Sequence, residues 1–141
     1  MKWSKLKQKI ESKLAAGVAG RIQFHTTRYR NAHDQMGRSW IAVDGIEIAN
    51  MHHLSGQAAF ENTDRQQHGV FTAYDLPDAM MEFLNMKIDA ALTSENPLIR
   101  ALAIVDRRTG KRRIQLMDAE NESFPVNIFI RLRQENGENG G

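Results

Sequence analysis

Ser39-Trp40-Ile41-Ala42-Val43-Asp44-Gly45-Ile46-Glu47-Ile48-Ala49 is two alternating apolar runs joined by an Asp-Gly pair. A two-residue hairpin turn needs positive φ at both central positions, and Asp-Gly supplies it at low cost. The stretch therefore predicts two antiparallel strands, about 38–43 and 46–53. In the simplest register Val43 faces Ile46, Ala42 faces Glu47 and Ile41 faces Ile48. Ile41, Val43, Ile46 and Ile48 would then make the core face, with Trp40, Ala42, Glu47 and Ala49 on the other. Upstream, Ile22 and Phe24 alternate with Gln23 and His25 in a stretch rich in β-branched and aromatic residues. Residues 21–30 thus add a third strand, reached through a polar loop from Asn31 to Gly37.

Helices are expected on both sides of this sheet. In residues 3–16, Trp3, Leu6, Ile10 and Leu14 form one apolar stripe. Lys2, Lys5, Lys9 and Lys13 form a second stripe about a quarter-turn away, and Gly17 and Gly20 are stop signals. Residues 55–69 are polar, with room for a short helix ending at Gly69. Residues 76–92 carry a broad apolar face, with Asp75 as a cap and Asp78 in the first turn. Asn96-Pro97 then starts a helix over 97–108 that is apolar nearly all round, hence buried, and Gly110 would end it. A hairpin of Ala101–Arg107 and Lys111–Met117 around Thr109-Gly110 is the rival reading. Residues 125–135 alternate like a strand, but Pro125 and the late Arg131 and Arg133 favour a helix. The whole reads as one α+β domain, residues 1–133, followed by a polar, glycine-rich tail, 134–141, expected to be disordered.

Charge is unevenly spread along the 141 residues. The net charge is +2, yet residues 1–30 carry eight basic groups and one acid, while 31–100 carry four basic groups and ten acids. Such asymmetry suits an anionic partner or pairing between the two segments. Lysines near a helix N-terminus oppose the macrodipole, so the Lys2, Lys5, Lys9 and Lys13 stripe does not stabilise its own helix. It could hold phosphates, pack against the acidic segment, or simply face solvent. A second basic cluster is Arg107-Arg108-Thr109-Gly110-Lys111-Arg112-Arg113. It is not a P-loop, because Val105 replaces the leading glycine and Arg112 follows the lysine. Its cations would also stabilise the end of the preceding helix. If both clusters share a face, a phosphate-binding role gains.

The exclusions are firmer. There is no cysteine, so no disulfide frame and no thiolate chemistry. The longest apolar run, Ala101 to Val105, is far below the ~20 residues of a membrane helix, and residues 1–14 lack the apolar core of an export signal. The five histidines, His25, His33, His52, His53 and His68, show no ligand spacing such as HExxH. No catalytic residue, metal or cofactor is therefore assigned, although a small enzyme around His25, His33 and Asp34 stays open as a lesser reading. On the sheet face away from the core, Arg21, Gln23, His25, Thr27, Tyr29, Trp40 and Glu47 line up. His25, Tyr29 and Trp40 there could stack bases, or a helix could cover them.

Several stretches resemble a family of small bacterial proteins of unknown function. They are Met1-Lys2-Trp3-Ser4-Lys5-Leu6, Gly20-Arg21, Thr27-Arg28-Tyr29, His33-Asp34-Gln35 through Trp40-Ile41, Val43-Asp44-Gly45, Asn96 to Ala103, Asp106-Arg107-Arg108 and Gly110-Lys111-Arg112. The resemblance implies a bacterial cytosolic setting and favours helix over hairpin at 97–108. It carries no activity, cofactor or site residue. The expectation is a non-catalytic binding module. Its phosphate contacts would be Lys2, Lys5, Lys9, Lys13, Arg21, Arg107, Arg108, Lys111, Arg112 and Arg113, and its partner an anion such as nucleic acid. The alternative is a protein-interaction module whose basic helix docks on an acidic protein or a second copy of the chain.

Overall fold

The computed structural model describes residues 2–28, 36–52, 66 and 70–140. Its elements are α1 (Trp3–Glu11), β1 (Ile22–Arg28), β2 (Met36–Val43), β3 (Ile46–His52), α2 (Asp75–Leu84), α3 (Ile88–Leu92), α4 (Pro97–Val105), α5 (Lys111–Gln115), a 3-10 turn (Ala119–Asn121) and α6 (Val126–Gly140). This is the α+β arrangement expected: a helix, a three-stranded antiparallel sheet in the order β1-β2-β3, then helices. No helix among the described residues is long and apolar enough to cross a membrane.

The hairpin turns at Asp44-Gly45, with φ of 54° and 81°. An added Cβ at Gly45 would meet nothing within 4 Å, so only the backbone conformation restricts the position. Gly45→Ala is therefore expected to cost about 1 kcal/mol, measured as a shift in urea midpoint at unchanged slope.

The register departs from the simple one. Val43 pairs with Ile46 and Ala42 with Glu47, but Ile41 pairs with Ala49. Ile48 is the extra residue of a bulge, which reverses the alternation of β3 beyond it. Met51 consequently reaches the core at 1% exposure, while Ile46, expected inside, is 69% exposed. Val43 and Ile48 pack at the core margin. Ile22, Phe24, Ser39 and Ile41 complete the buried face. Ser39 is satisfied there: its hydroxyl donates to the Ala73 carbonyl at 2.6 Å, tying the sheet to the chain just before α2.

α4 is the hub of the helical half. Every residue in it except Arg100 is buried, as expected for an all-round apolar helix. Asn96 caps it, accepting from the Leu98 N–H at 2.9 Å, with Pro97 in the first turn. α2, α3 and α6 all pack on it. The rival hairpin over 101–117 is not formed.

Other boundaries differ from expectation. The helix expected over 76–92 is two helices, broken at Asn85–Lys87, and the Asp75 carboxylate accepts from the Thr72 N–H instead of capping α2 from outside. The helix expected over 97–108 stops at Val105, and Gly110 precedes α5 rather than ending α4. α1 stops at Glu11, not near 16, because Leu14 forms an antiparallel bridge with Asp106. α6 continues to Gly140, across most of the stretch read as a tail. Gln134 donates from there to the carbonyls of Ile114 and Met117.

Candidate functional site

α1 buries Leu6 and Ile10 against the core and leaves Lys2, Lys5 and Lys9 exposed. At 100° per residue these three lie within about 60° of one another. Lys13 is not on the helix. It sits in the turn after it, half-buried, and its carbonyl accepts from the Arg107 N–H at 2.8 Å. One residue on, the Ala15 N–H donates to the Val105 carbonyl at 2.8 Å. This short ladder sets the end of the basic N-terminal segment beside the start of the second basic cluster.

Between the ends of α1 and α2 lies an open cleft of about 540 Å³, lined by Lys9, Ser12, Lys13, Met81, Leu84 and Asn85. Its chemistry is mixed: two ammonium groups and small polar side chains beside an apolar wall. Ser12, Asn85 and the half-exposed Met81 are site residues that the sequence did not flag. They come from the C-terminal ends of α1 and α2 and the residues that follow them, whose adjacency only the fold reveals.

Asp106 holds the junction. It is 1% exposed. One carboxylate oxygen accepts from the Arg108 N–H at 2.8 Å and from Arg108 Nε at 3.0 Å, and the other accepts from Arg108 Nη2 at 3.0 Å. The bidentate pair raises the Arg108 pKa above its ordinary value. The Arg108 guanidinium also lies 5.7 Å from the Phe83 ring centre. Buried Arg133 donates to the Ile104 carbonyl at 2.7 Å. Burial lowers its pKa, opposed by the charge of Asp106.

The predicted phosphate contacts thus divide. Arg21 is forked onto Asp44 at 2.8 and 2.7 Å, a bond that lowers the Asp44 pKa. Arg108 is held by Asp106, and Arg113 reaches Asp89 on α3 at 2.7 Å. Lys111 is exposed but makes an interaction of its own. Among the described residues, Lys2, Lys5, Lys9, Lys13, Arg107 and Arg112 have no ion-pair partner. Among the described residues, Asp44 pairs with Arg21, Glu47 with Arg38 and Asp89 with Arg113, and none of these three acids takes a lysine of the stripe. Within α1 itself, only Lys7 is paired, with Glu11.

The outer sheet face carries Gln23, His25, Thr27, Arg38, Trp40 and Glu47, as the alternation required. Its aromatic surface is engaged within the chain. His25 stacks on Trp40, centroids 4.8 Å apart and 22° from parallel. The Arg38 guanidinium sits 4.1 Å from the Trp40 ring centre while its Nη2 holds Glu47 at 2.6 Å. Arg38 went unrecognised in the sequence because its role depends on Trp40 two residues on and Glu47 across the hairpin. Tyr29, His33, Asp34, His53 and His68 lie outside the described residues, as does the helix considered over 55–69, residue 66 excepted. No group of three metal-ligating side chains occurs among the described residues.

His25 has a depressed pKa. Burial disfavours its charged form first, then the positive charge of Lys7; Arg38 adds to this, and Glu11 and Glu47 oppose it. The fold keeps the neutral ring. Its contribution is complete above pH 6.5, the ordinary histidine value, where both folded and unfolded rings are neutral. It is lost as pH falls through the folded midpoint, because the unfolded chain takes the proton first. The His25 ring resonances should titrate with a midpoint below 6.5, and His25→Gln should flatten the acid side of the stability–pH curve.

Residues 2–68 and 55–134 match one family of proteins, which together cover nearly the whole chain. The chain belongs to the SF0329 protein family. That assignment agrees with the resemblance drawn from the sequence motifs, and it extends across residues 50–69, which those motifs do not include. No curated protein and no solved structure matches the chain. The description of the SF0329 family names no substrate or activity, so function rests on the geometry of the cleft and its basic rim.

Proposed function

We propose that this SF0329 protein is a non-catalytic binding module that grips the phosphates of a nucleic acid. Lys9, Lys13 and Arg107 make the central contact, and Lys2, Lys5 and Arg112 add to the surrounding positive field. The observation that carries this reading is the Leu14–Asp106 bridge with its Arg107 N–H to Lys13 carbonyl bond. It joins the two basic segments of the sequence at one place. Intramolecular pairing was the competing account of the lysines, and Asp44, Glu47 and Asp89 pair with arginines instead.

The cleft suits a nucleotide in kind. Ammonium groups take phosphate oxygens as point charges. The wall of Met81 and Leu84 offers apolar contact to a base or sugar, and Ser12 and Asn85 offer hydrogen bonds. A bacterial cytosolic setting fits the cysteine-free composition, which a reducing compartment does not disfavour.

The test is fluorescence anisotropy of labelled single-stranded RNA and duplex DNA at low and physiological salt. Micromolar binding that weakens steeply with salt is expected. A failure to bind at low salt, together with a stable dimer by light scattering that nucleic acid does not alter, would transfer the basic surface to a protein partner.

A further inference from the structure

The two walls of the basic cleft differ in charge. Lys9 and Lys13 stand on the α1 side, with Arg107 tied to Lys13 through the backbone. The α2 side adds no cation to the lining, only Met81, Leu84 and Asn85. α2 itself holds Asp75, Asp78 and Glu82 and neither lysine nor arginine, and Lys87 follows only after the helix has ended. A phosphate is attracted to the first wall and repelled from the helix that makes the second.

What α2 offers instead is contact surface. At 100° per residue Tyr74, Asp78, Met81 and Asn85 fall within about 60° of one another, one stripe along the helix. Tyr74 and Met81 on that stripe are large side chains left 37% and 39% exposed. They lie about 10 Å apart along the axis, far enough to meet different bases. The polar lining suits a base better than a phosphate. Ser12 commits its hydroxyl hydrogen to the Lys9 carbonyl at 2.7 Å, and Asn85 donates an amide hydrogen to the Met81 carbonyl at 3.3 Å. Ser12 Oγ and Asn85 Oδ1 are left as acceptors, which take the amino groups of bases and repel phosphate oxygens.

On the phosphate-binding reading above, we infer that the cleft takes a single strand and discriminates against a duplex. One backbone runs along Lys9, Lys13 and Arg107, and its bases turn toward α2, one against Met81 and Leu84 and a neighbour against Tyr74. A single strand has base faces to give, and contact with them is tolerant of sequence. A duplex keeps those faces inside its stack and carries two phosphate backbones. Seated at the lysines, it gains nothing from Met81 or Tyr74, and its second backbone approaches the acids of α2. The cleft volume of about 540 Å³ falls within the range of sites that take a small organic ligand, such as one base with its sugar.

The test is fluorescence anisotropy of the full chain at low salt with three labelled DNA probes of one length, about twelve nucleotides. They are a single strand, the same strand annealed to its complement, and an abasic strand. The intact single strand is expected to bind about tenfold more tightly than either of the others. Tyr74→Ala/Met81→Ala should bring the intact strand to within about twofold of the abasic one. Both positions are exposed, and urea unfolding of the variant checks that the fold is kept. Duplex binding as tight as the single strand, an abasic strand as tight as the intact one, or an undiminished preference in the variant would each overturn the single-strand inference and leave the phosphate grip standing. No binding of any probe would overturn both. The three probes on the wild-type chain decide the matter even if the double variant fails to fold.

Discussion

Replacing Lys9, Lys13 and Arg107 together by glutamine should lower affinity for single-stranded RNA at low salt by about two to three orders of magnitude. Each phosphate neutralised on a single strand contributes through counterion release, with a salt slope of about −0.7 per contact. At 50 mM salt that amounts to about 1 kcal/mol per contact, and three contacts multiply. Stability should move by less than about 0.5 kcal/mol, since surface substitutions away from caps and ion pairs seldom do more. Here none of the three has an ion-pair partner among the described residues. The matching variant with arginine at positions 9 and 13 should retain binding, because it keeps the charge. Separating lost affinity from lost stability is what distinguishes a binding surface from a structural one.

Asp106→Ala should be among the most destabilising single substitutions in the chain, at about 2–4 kcal/mol by urea unfolding. Two losses combine. The Arg108 N–H loses its acceptor in a partly buried setting, and the buried Arg133 guanidinium loses the nearby negative charge. Asp106→Asn, which keeps an acceptor but not the charge, should cost less. The junction between Lys13–Ala15 and Val105–Arg107 should loosen with it, seen as faster hydrogen exchange at the Ala15 and Arg107 amides. A loss under about 1 kcal/mol would mean that the bridge is held by the surrounding core and not by Asp106.

The parts of this fold legible in the sequence are those set by local chemistry. Asp44-Gly45 favours a tight turn, and Asn96-Pro97 favours a helix start over the rival hairpin, so the hairpin and the buried α4 follow from a few residues each. The missed features were tertiary. Ile48 looks like the next core residue of β3, and the bulge that displaces it is signalled only weakly, by apolar Met51 standing between Asn50 and His52. The end of α1 is decided by Asp106, far away in the chain. The break at Asn85–Lys87 has no glycine or proline to mark it, and the apolar spacing runs through it.

The candidate site follows the same division. Its basic residues were visible as composition, because lysines opposing a helix dipole need some other explanation. Which of them remain available was not visible. Arg21 and Arg113 are taken by Asp44 and Asp89, each more than twenty positions distant. The cleft itself depends on Met81 and Asn85 arriving from α2, residues with nothing in their local sequence to set them apart.

The most direct test of the two-segment site is the slope of log affinity against log salt for a labelled single-stranded oligonucleotide, measured in parallel on the wild-type chain and on Lys9→Gln/Lys13→Gln/Arg107→Gln. If the N-terminal and 107–113 segments grip phosphates at one place, the variant's slope is flatter than the wild type's by about 2. Unchanged affinity and an unchanged slope would show that the phosphates, if bound at all, are bound elsewhere.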